Sequence, residues 1–262
     1  NRASIVKAAI DSVLSLNEGA AELVIVDDGS TDRTRDILGA IDSPRLTALF
    51  LKTNGGANRA RNIGASVARA PVLAFLDSDD SYLPGRLTRP LKVLSQSPSV
   101  GIVLSSFPPA KRNRSKVVAL RDGTYDSQTF QRHLARYILP ATTTGITVRR
   151  DLFHKVGGFD PTLKRIQDLD FLLRAAPHAD GATVADVLWH KNWQEDGISS
   201  RPATYYDALL ALLSRHPIYH STELPTREYL LARHLLAQTK SLKLGQMWRD
   251  YQPLRPPPHP PP

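Results

Sequence analysis

The first hundred residues are built from short uninterrupted apolar runs separated by stretches with helical spacing. Leu23-Val24-Ile25-Val26 stops at Asp27-Asp28-Gly29-Ser30, and Pro71–Leu76 stops at Asp77-Ser78-Asp79-Asp80. An apolar run of this length without alternation reads as a strand covered on both faces. Strands that alternate with helices predict an α/β layer with a mostly parallel central sheet. In such sheets ligands bind beyond the carboxyl ends of the strands. Both acidic clusters fall at such ends and are expected to face one crevice. A solvated turn and a metal site both explain three carboxylates in four positions, and the cluster alone does not separate them.

The remaining pattern fills in the layers. Asn1 to Leu16 predicts a helix capped by Ser4, with Ile5, Ala9, Ile10, Val13 and Leu14 on one face. Another helix is expected to start near Thr31–Asp32, and Leu46–Leu51 to form a strand. Asn54-Gly55-Gly56 reads as a loop before a helix through Ala60, Gly64 and Val67. Pro84 suits a first helical turn, and Pro90 is expected to kink that helix. Strands are predicted at Val100–Ser105, Lys116–Leu120, Thr142–Val148 and Thr183–Leu188. Asp126 or Ser127 is suited to cap a helix carrying Phe130 and Leu134. Asp151 is suited to cap a short helix ending at Gly157-Gly158. A buried helix is expected near Asp168.

The C-terminal part changes character. Residues 201–252 read as a helical extension, with leucines at helical spacing over Thr204–Leu213 and Thr226–Leu244. Residues 253–262 are dominated by proline and read as an extended, disordered tail.

Composition limits the chemistry. There is no cysteine, which removes disulfides and thiolate metal sites and fits a reducing cytoplasm. No apolar run approaches the ~20 residues of a membrane span, and no signal peptide opens the sequence. The formal net charge of +9 favours anionic partners, or serves solubility. Lys111, Arg112, Arg114 and Lys116 form a basic loop. Aromatic residues are only 7%, with no basic-aromatic platform, so nucleic acid is not an expected partner.

Five stretches in order carry a family resemblance. They are Glu22–Asp32, Asn54-Gly55-Gly56 with Ala60-Arg61-Asn62-Ile63-Gly64, Phe75–Asp80, Gly157-Gly158-Phe159-Asp160, and Gln167-Asp168-Leu169-Asp170-Phe171 with Arg174. Together they resemble the family 2 glycosyltransferases. The resemblance implies a GT-A type three-layer sandwich over residues 1–200. Its nucleotide-binding half is about 1–100 and its acceptor half about 101–200. Two departures stand out. The family opens with an apolar strand that lies inside the sheet, whereas Asn1-Arg2 resembles only the tail of the turn that follows it. Gln167 replaces the usual Glu.

The resemblance implies an inverting enzyme that moves a sugar from a nucleotide-diphosphate donor to an acceptor hydroxyl. The leaving diphosphate needs a cation and the attacking hydroxyl needs a base. Mg²⁺ or Mn²⁺ takes one or two carboxylates plus phosphate oxygens and water. By resemblance Asp79 binds the metal and Asp77 lies near the ribose, with the role of Asp80 open. Asp28, with Asp27 beside it, is the expected base contact; a carboxylate accepts from the N3–H of uracil or thymine. Both carboxylates would also suit the N-terminus of the following helix. Arg61 is expected to pair with a phosphate or the base, or else to be a surface arginine. Asp168 is the expected general base. Its apolar neighbours Ile166, Leu169 and Phe171 would raise its pKa, although a helix cap would also place an aspartate there. Asp170 is its rival. His190 is a candidate metal ligand or an ordinary loop histidine, and Trp189 and Trp193 either stack on a sugar or pack.

The expected partners are a nucleotide-sugar, with UDP favoured over dTDP, and a glycan, lipid-linked or small-molecule acceptor, as in bacterial polysaccharide or glycan biosynthesis. Residues 201–262 carry eight Lys/Arg against four Asp/Glu, which would allow peripheral contact with the inner face of a membrane. Two other functions fit parts of the pattern. A haloacid-dehalogenase-type phosphatase also uses Asp-x-Asp at a strand end. A non-catalytic nucleotide-binding module would account for Gln167 and the absent strand.

Overall fold

A computed structural model describes residues 1–18, 21–107, 119–191 and 203–220. The basic loop at 111–116, Trp193, the helix expected over Thr226–Leu244 and the Pro-rich tail lie outside those residues. The chain divides into two compact units, Asn1–Arg201 and Pro202–Pro262.

The first unit begins with α1 (Val6–Leu14), which buries Val6, Ala9, Ile10 and Val13 at the expected spacing. Ser4 does not cap it. The Arg2 carbonyl accepts from the N–H groups of Ile5 and Val6, so a backbone turn already fills that place. β1 (Leu23–Asp27) pairs in parallel with β2 (Leu46–Phe50). Between them lies α2 (Thr34–Gly39), which starts later than expected because Asp32 receives the N–H and hydroxyl of Thr34. α3 (Ala57–Val67) follows the glycine loop. Strand alternation then builds the layers. Leu23 and Ile25 join Val6, Ile10 and Leu38 from α1 and α2. Gly64 of α3 lies against Val24 and Val26 on the other face.

β3 (Val72–Ala74) is shorter than the apolar run that predicts it. Phe75 and Leu76 leave the ladder, and the chain turns through Asp77–Asp79 into β4 (Asp80–Tyr82). α4 (Thr88–Gln96) contains Pro90 at its third position. That correction has a simple cause: an N–H in the first turn has no intrahelical acceptor, so a proline there removes no helix bond. β5 (Val100–Ser106) is buried along its whole length. β6 (Gly123–Tyr125) follows, then α5 (Ser127–Ala135), capped by Asp126, which accepts from Thr129 N–H at 2.8 Å. The threonines at 143–144 form a 3-10 turn before β7 (Ile146–Arg149). α6 (Arg150–Lys155), α7 (Gln167–Ala175), β8 (Asp180–Val187) and β9 (Trp189–Lys191) complete the unit.

Five strands form one sheet in the order β3-β7-β5-β8-β6. Only β5 and β8 run parallel in it; β7 and β6 are antiparallel to their neighbours. The central sheet is therefore mixed rather than mostly parallel. The apolar runs that locate strands carry no information on direction, and β7 enters between β3 and β5 from a distant part of the chain. Leu94 of α4 packs with Val103 and Ala182 on one face, and Gly181 faces the Phe130 ring of α5 on the other. The result is helix, sheet, helix. Among the described residues β1 pairs only with β2, and β3 only with β7. Among the described residues the parallel pair and the five-stranded sheet are thus not joined by a ladder.

In the second unit, α8 (Ala203–Arg215) leads to a 3-10 turn at Pro217–Tyr219.

Candidate active site

Four segments converge on the turn after β3, and a knot of aromatic rings holds them together. Phe75 comes from the run before Asp77, Phe153 from α6, Phe159 from the Gly-Gly-Phe-Asp turn and Phe171 from α7. Their ring centroids lie 5.0–5.6 Å apart in five pairs. Rings in contact at tilted or edge angles add favourable quadrupole terms to their area burial. Gly158 has φ +67°, and a Cβ there would stand 2.5 Å from Asn62 Oδ1. The turn therefore needs glycine.

α3 presents Asn58, Arg61 and Asn62 to this knot. Asn58 donates to the carbonyls of Asp160 and Leu163, and Asn62 exchanges hydrogen bonds with the backbone of Phe159. Arg61 lies over the Phe159 ring and donates to Asn58, while its Nη2 meets Asp77 Oδ1 at 2.5 Å. So Arg61 is bound to the first carboxylate of the cluster. It is therefore not a free surface arginine.

Asp168 stands in the first turn of α7, partly buried, and its Oδ1 accepts from Leu169 N–H. It does not cap the helix, because Ile166 precedes it in a left-handed conformation with φ +60°. Burial pushes its pKa up to about 6. The Leu169 N–H and Arg61 act against that rise, and the charge of Asp77 adds to it. Asp168 therefore shares its field with the Asp77–Arg61 pair. Asp170 is a different case. It is buried and held by Arg174 at 2.7 and 3.0 Å, and Arg174 also donates to the carbonyls of Val156 and Gly158. This ion pair staples α7 to the glycine turn, which removes Asp170 as the rival base.

At the first acidic cluster the two aspartates part. Asp27 is buried; its Oδ2 accepts from Ser30 N–H and from Arg35 Nε at 2.7 Å. Burial alone would raise its pKa, but these donors outweigh it and hold the carboxyl below the usual range. It locks the strand end through Oδ2, while its Oδ1 is buried without a hydrogen-bond partner. Asp28 accepts from the N–H groups of Gly55 and Gly56 at 2.8 and 2.6 Å. Gly29, with φ +74°, lets this turn approach Asn54 closely, since a Cβ there would stand 2.8 Å from its nitrogen. Each Asp28 oxygen keeps a second lone pair.

At the second cluster Thr144, from the 3-10 turn, donates to Asp80 Oδ2 at 2.6 Å and accepts from Asp77 N–H at 3.3 Å. Fully buried Arg86 holds that turn through the carbonyls of Thr144 and Ile146 and the Thr147 hydroxyl. Asp80 is itself buried, and its Oδ1 has no hydrogen-bond partner. Burial pushes its pKa up to about 7; Thr144 and Lys191 oppose the rise, and Asp77 and Asp79 add to it.

β4 and β9 pair antiparallel with Asp80 opposite Lys191, Ser81 opposite His190 and Tyr82 opposite Trp189. Side chains alternate along a strand, so Lys191 shares a face with Asp80 while exposed His190 points the other way. His190 thus lies with Ser81 on the face opposite Asp80. Trp189 is corrected as a sugar platform: it is buried among Val13, Leu16 and Tyr82 and stacked on Phe107. Lys191, Thr144 and Arg86 escape a reading of local motifs. Strand alternation past His190 is the one signal that points to Lys191.

Among the described residues no group of three or more His, Asp or Glu is placed to hold a metal ion. The donor set suits a different kind of site. Asp79 and the orphaned Asp80 Oδ1 offer hard oxygens to a cation that draws its other ligands from phosphate and water.

The comparisons with known proteins agree with this frame. The Glycosyl transferase family 2 profile matches residues 1–157. An uncharacterized glycosyltransferase of Haemophilus influenzae is 31% identical over 181 residues, which is 66% of this chain and 58% of that protein. The succinoglycan biosynthesis protein ExoO of Rhizobium meliloti is 42% identical over 89 residues, 34% of this chain and 26% of its own. Among solved structures, S. aureus TarS 1-349 in complex with UDP-GlcNAc superposes with a TM-score of 0.66 at 21% identity, covering 80% of this chain and 62% of that one. The chain spans little more than half the length of the first two curated relatives it matches. Its fold is that of the GT-A glycosyltransferases, and by the profile match the chain belongs to glycosyl transferase family 2.

Proposed function

We propose that the chain transfers a sugar from a UDP-sugar to an acceptor hydroxyl with inversion at the anomeric carbon. One observation carries this reading: Asp168, raised to about 6, lies in the electrostatic reach of Asp77 and Arg61 at the strand end that bears Asp79. A carboxyl with such a pKa is ionised near neutrality yet basic enough to take a proton from a hydroxyl. Asp168 accepts the acceptor hydroxyl proton as the oxygen attacks, and the diphosphate leaves on the opposite face. Asp28 receives the N3–H of uracil through its remaining lone pairs. Asp77, oriented by Arg61, faces the ribose side. Asp79, with Asp80 beside it, would hold Mn²⁺ or Mg²⁺, which supplies positive charge for the departing diphosphate. The UDP-GlcNAc complex of TarS supports a UDP-sugar donor, and the name of the ExoO relative supports a glycan acceptor in bacterial polysaccharide synthesis. No helix among the described residues is long and apolar enough to cross a membrane.

The test is a screen of nucleotide-sugars for metal-dependent hydrolysis and transfer. Wild type is expected to turn over a UDP-sugar, and Asp79→Ala and Asp168→Asn to lose turnover. Asp168→Asn is expected to retain UDP binding. Unchanged activity in Asp79→Ala would sink the metal assignment. UDP binding without any turnover in wild type would favour a non-catalytic module.

A further inference from the structure

The second acidic cluster already has a cation near it. Lys191 Nζ lies 3.7 Å from Asp79 Oδ2 and 3.7 Å from Asp80 Oδ1. Both distances exceed hydrogen-bond length, so the ammonium is shared between the two carboxylates and bound tightly to neither. The β4–β9 register places it there, directly across from Asp80. Asp80 cannot turn away. Its Oδ2 is held by Thr144 and its Oδ1 is buried without a hydrogen-bond partner. Asp77, the third carboxylate, is neutralised separately by Arg61. The cluster is thus divided between two basic residues, and Lys191 serves the half that carries the proposed metal carboxylate.

We infer that Lys191 is the resident counter-ion of the Asp79–Asp80 pair, and that a divalent cation enters at Asp79 by displacing it. This rests on the reading of Asp79 as the metal carboxylate. Two consequences follow from charge alone. Without nucleotide, the metal competes with a tethered ammonium, so its affinity is depressed. With nucleotide bound, the displaced ammonium has an anionic diphosphate to move towards, so metal and donor bind cooperatively. Lys191 is a positioning residue that acts through the cluster, and no part of the proton transfer is assigned to it.

The experiment is a Mn²⁺ titration followed by electron paramagnetic resonance of the free ion, on the full chain without and with UDP. Lys191→Met is expected to bind Mn²⁺ about tenfold more tightly than wild type in the absence of UDP, the order of effect that one unit charge a few ångströms away produces in a partly hydrated site. Lys191→Arg keeps the charge and is expected to stay close to wild type. UDP is expected to enhance Mn²⁺ binding in wild type and much less in Lys191→Met. Asp79→Asn is the control for the underlying reading and is expected to lose the site. Equal or weaker Mn²⁺ binding by Lys191→Met overturns the inference while leaving the metal site and transferase readings intact. Unchanged Mn²⁺ binding by Asp79→Asn overturns both the inference and the metal reading. Turnover of a UDP-sugar by wild type tests the transferase reading independently.

Discussion

At the scale of residues, environment sorts carboxylates that look equivalent in the sequence. Asp168 and Asp170 are two positions apart on one helix. Asp170 is neutralised by Arg174, and Asp168 is left with a raised pKa and one backbone donor. This has a kinetic consequence. A base must be ionised, so kcat/KM is expected to rise with pH through about 6. The stability term has the opposite sense. A carboxyl whose folded pKa is raised from 3.8 contributes stability at low pH that is lost as pH rises through about 6. Asp168→Glu is expected to displace the kcat/KM limb. A flat profile between about pH 5 and 8 would remove Asp168 from the base role.

At the scale of elements, α4 shows how distant residues set local structure. Its N-terminus has no side-chain cap of its own. Instead Glu18 accepts from the N–H groups of Gly85, Leu87 and Thr88 and from the Thr88 hydroxyl. Burial alone would raise the Glu18 pKa, and these donors reverse the sign and leave it lowered from 4.5. Glu18→Gln is therefore expected to lose about 1 kcal/mol at neutral pH, the usual worth of a cap. A depressed carboxyl contributes its stability above the unfolded value and loses it as pH falls through the folded one. Chemical denaturation of both proteins should then converge as pH falls below the ordinary Glu range and Glu18 takes up its proton. A gap that stays constant with pH would show that Glu18 acts by shape alone. The same contrast explains what was legible beforehand. Caps and apolar runs are local, so Asp126, β5 and α7 follow from their own stretches. The five ordered motifs located the site. The β4–β9 pairing joins residues about a hundred positions apart through three-residue strands, so beyond the alternation past His190 nothing in its own stretch ties Lys191 to Asp80. Asp27 and Asp28 look alike in sequence, and their partners separate them: Ser30 and Arg35 at Asp27, the Gly55 and Gly56 N–H groups at Asp28.

At the scale of the molecule, the site straddles two sheets of unequal strength. β5 is buried along its length, with β7 on one side and β8 on the other, and both faces are covered by helices. β1 and β2 form a parallel pair without a third strand among the described residues. Leu23 to Val26 are only partly buried despite being wholly apolar. A two-stranded pair has little independent stability, and here it relies on α1, α2 and α3. The first unit is therefore expected to open in parts rather than all at once. In hydrogen-exchange mass spectrometry, peptides spanning Leu23–Asp27 and Leu46–Phe50 should exchange well before those spanning Val100–Ser106 and Asp180–Val187. UDP should slow the first pair selectively, because Asp28 and the Asn54-Gly55-Gly56 loop lie at their carboxyl ends. Uniform exchange across both sheets, with no selective effect of UDP, would mean that the helices alone make the nucleotide half as rigid as the five-stranded sheet.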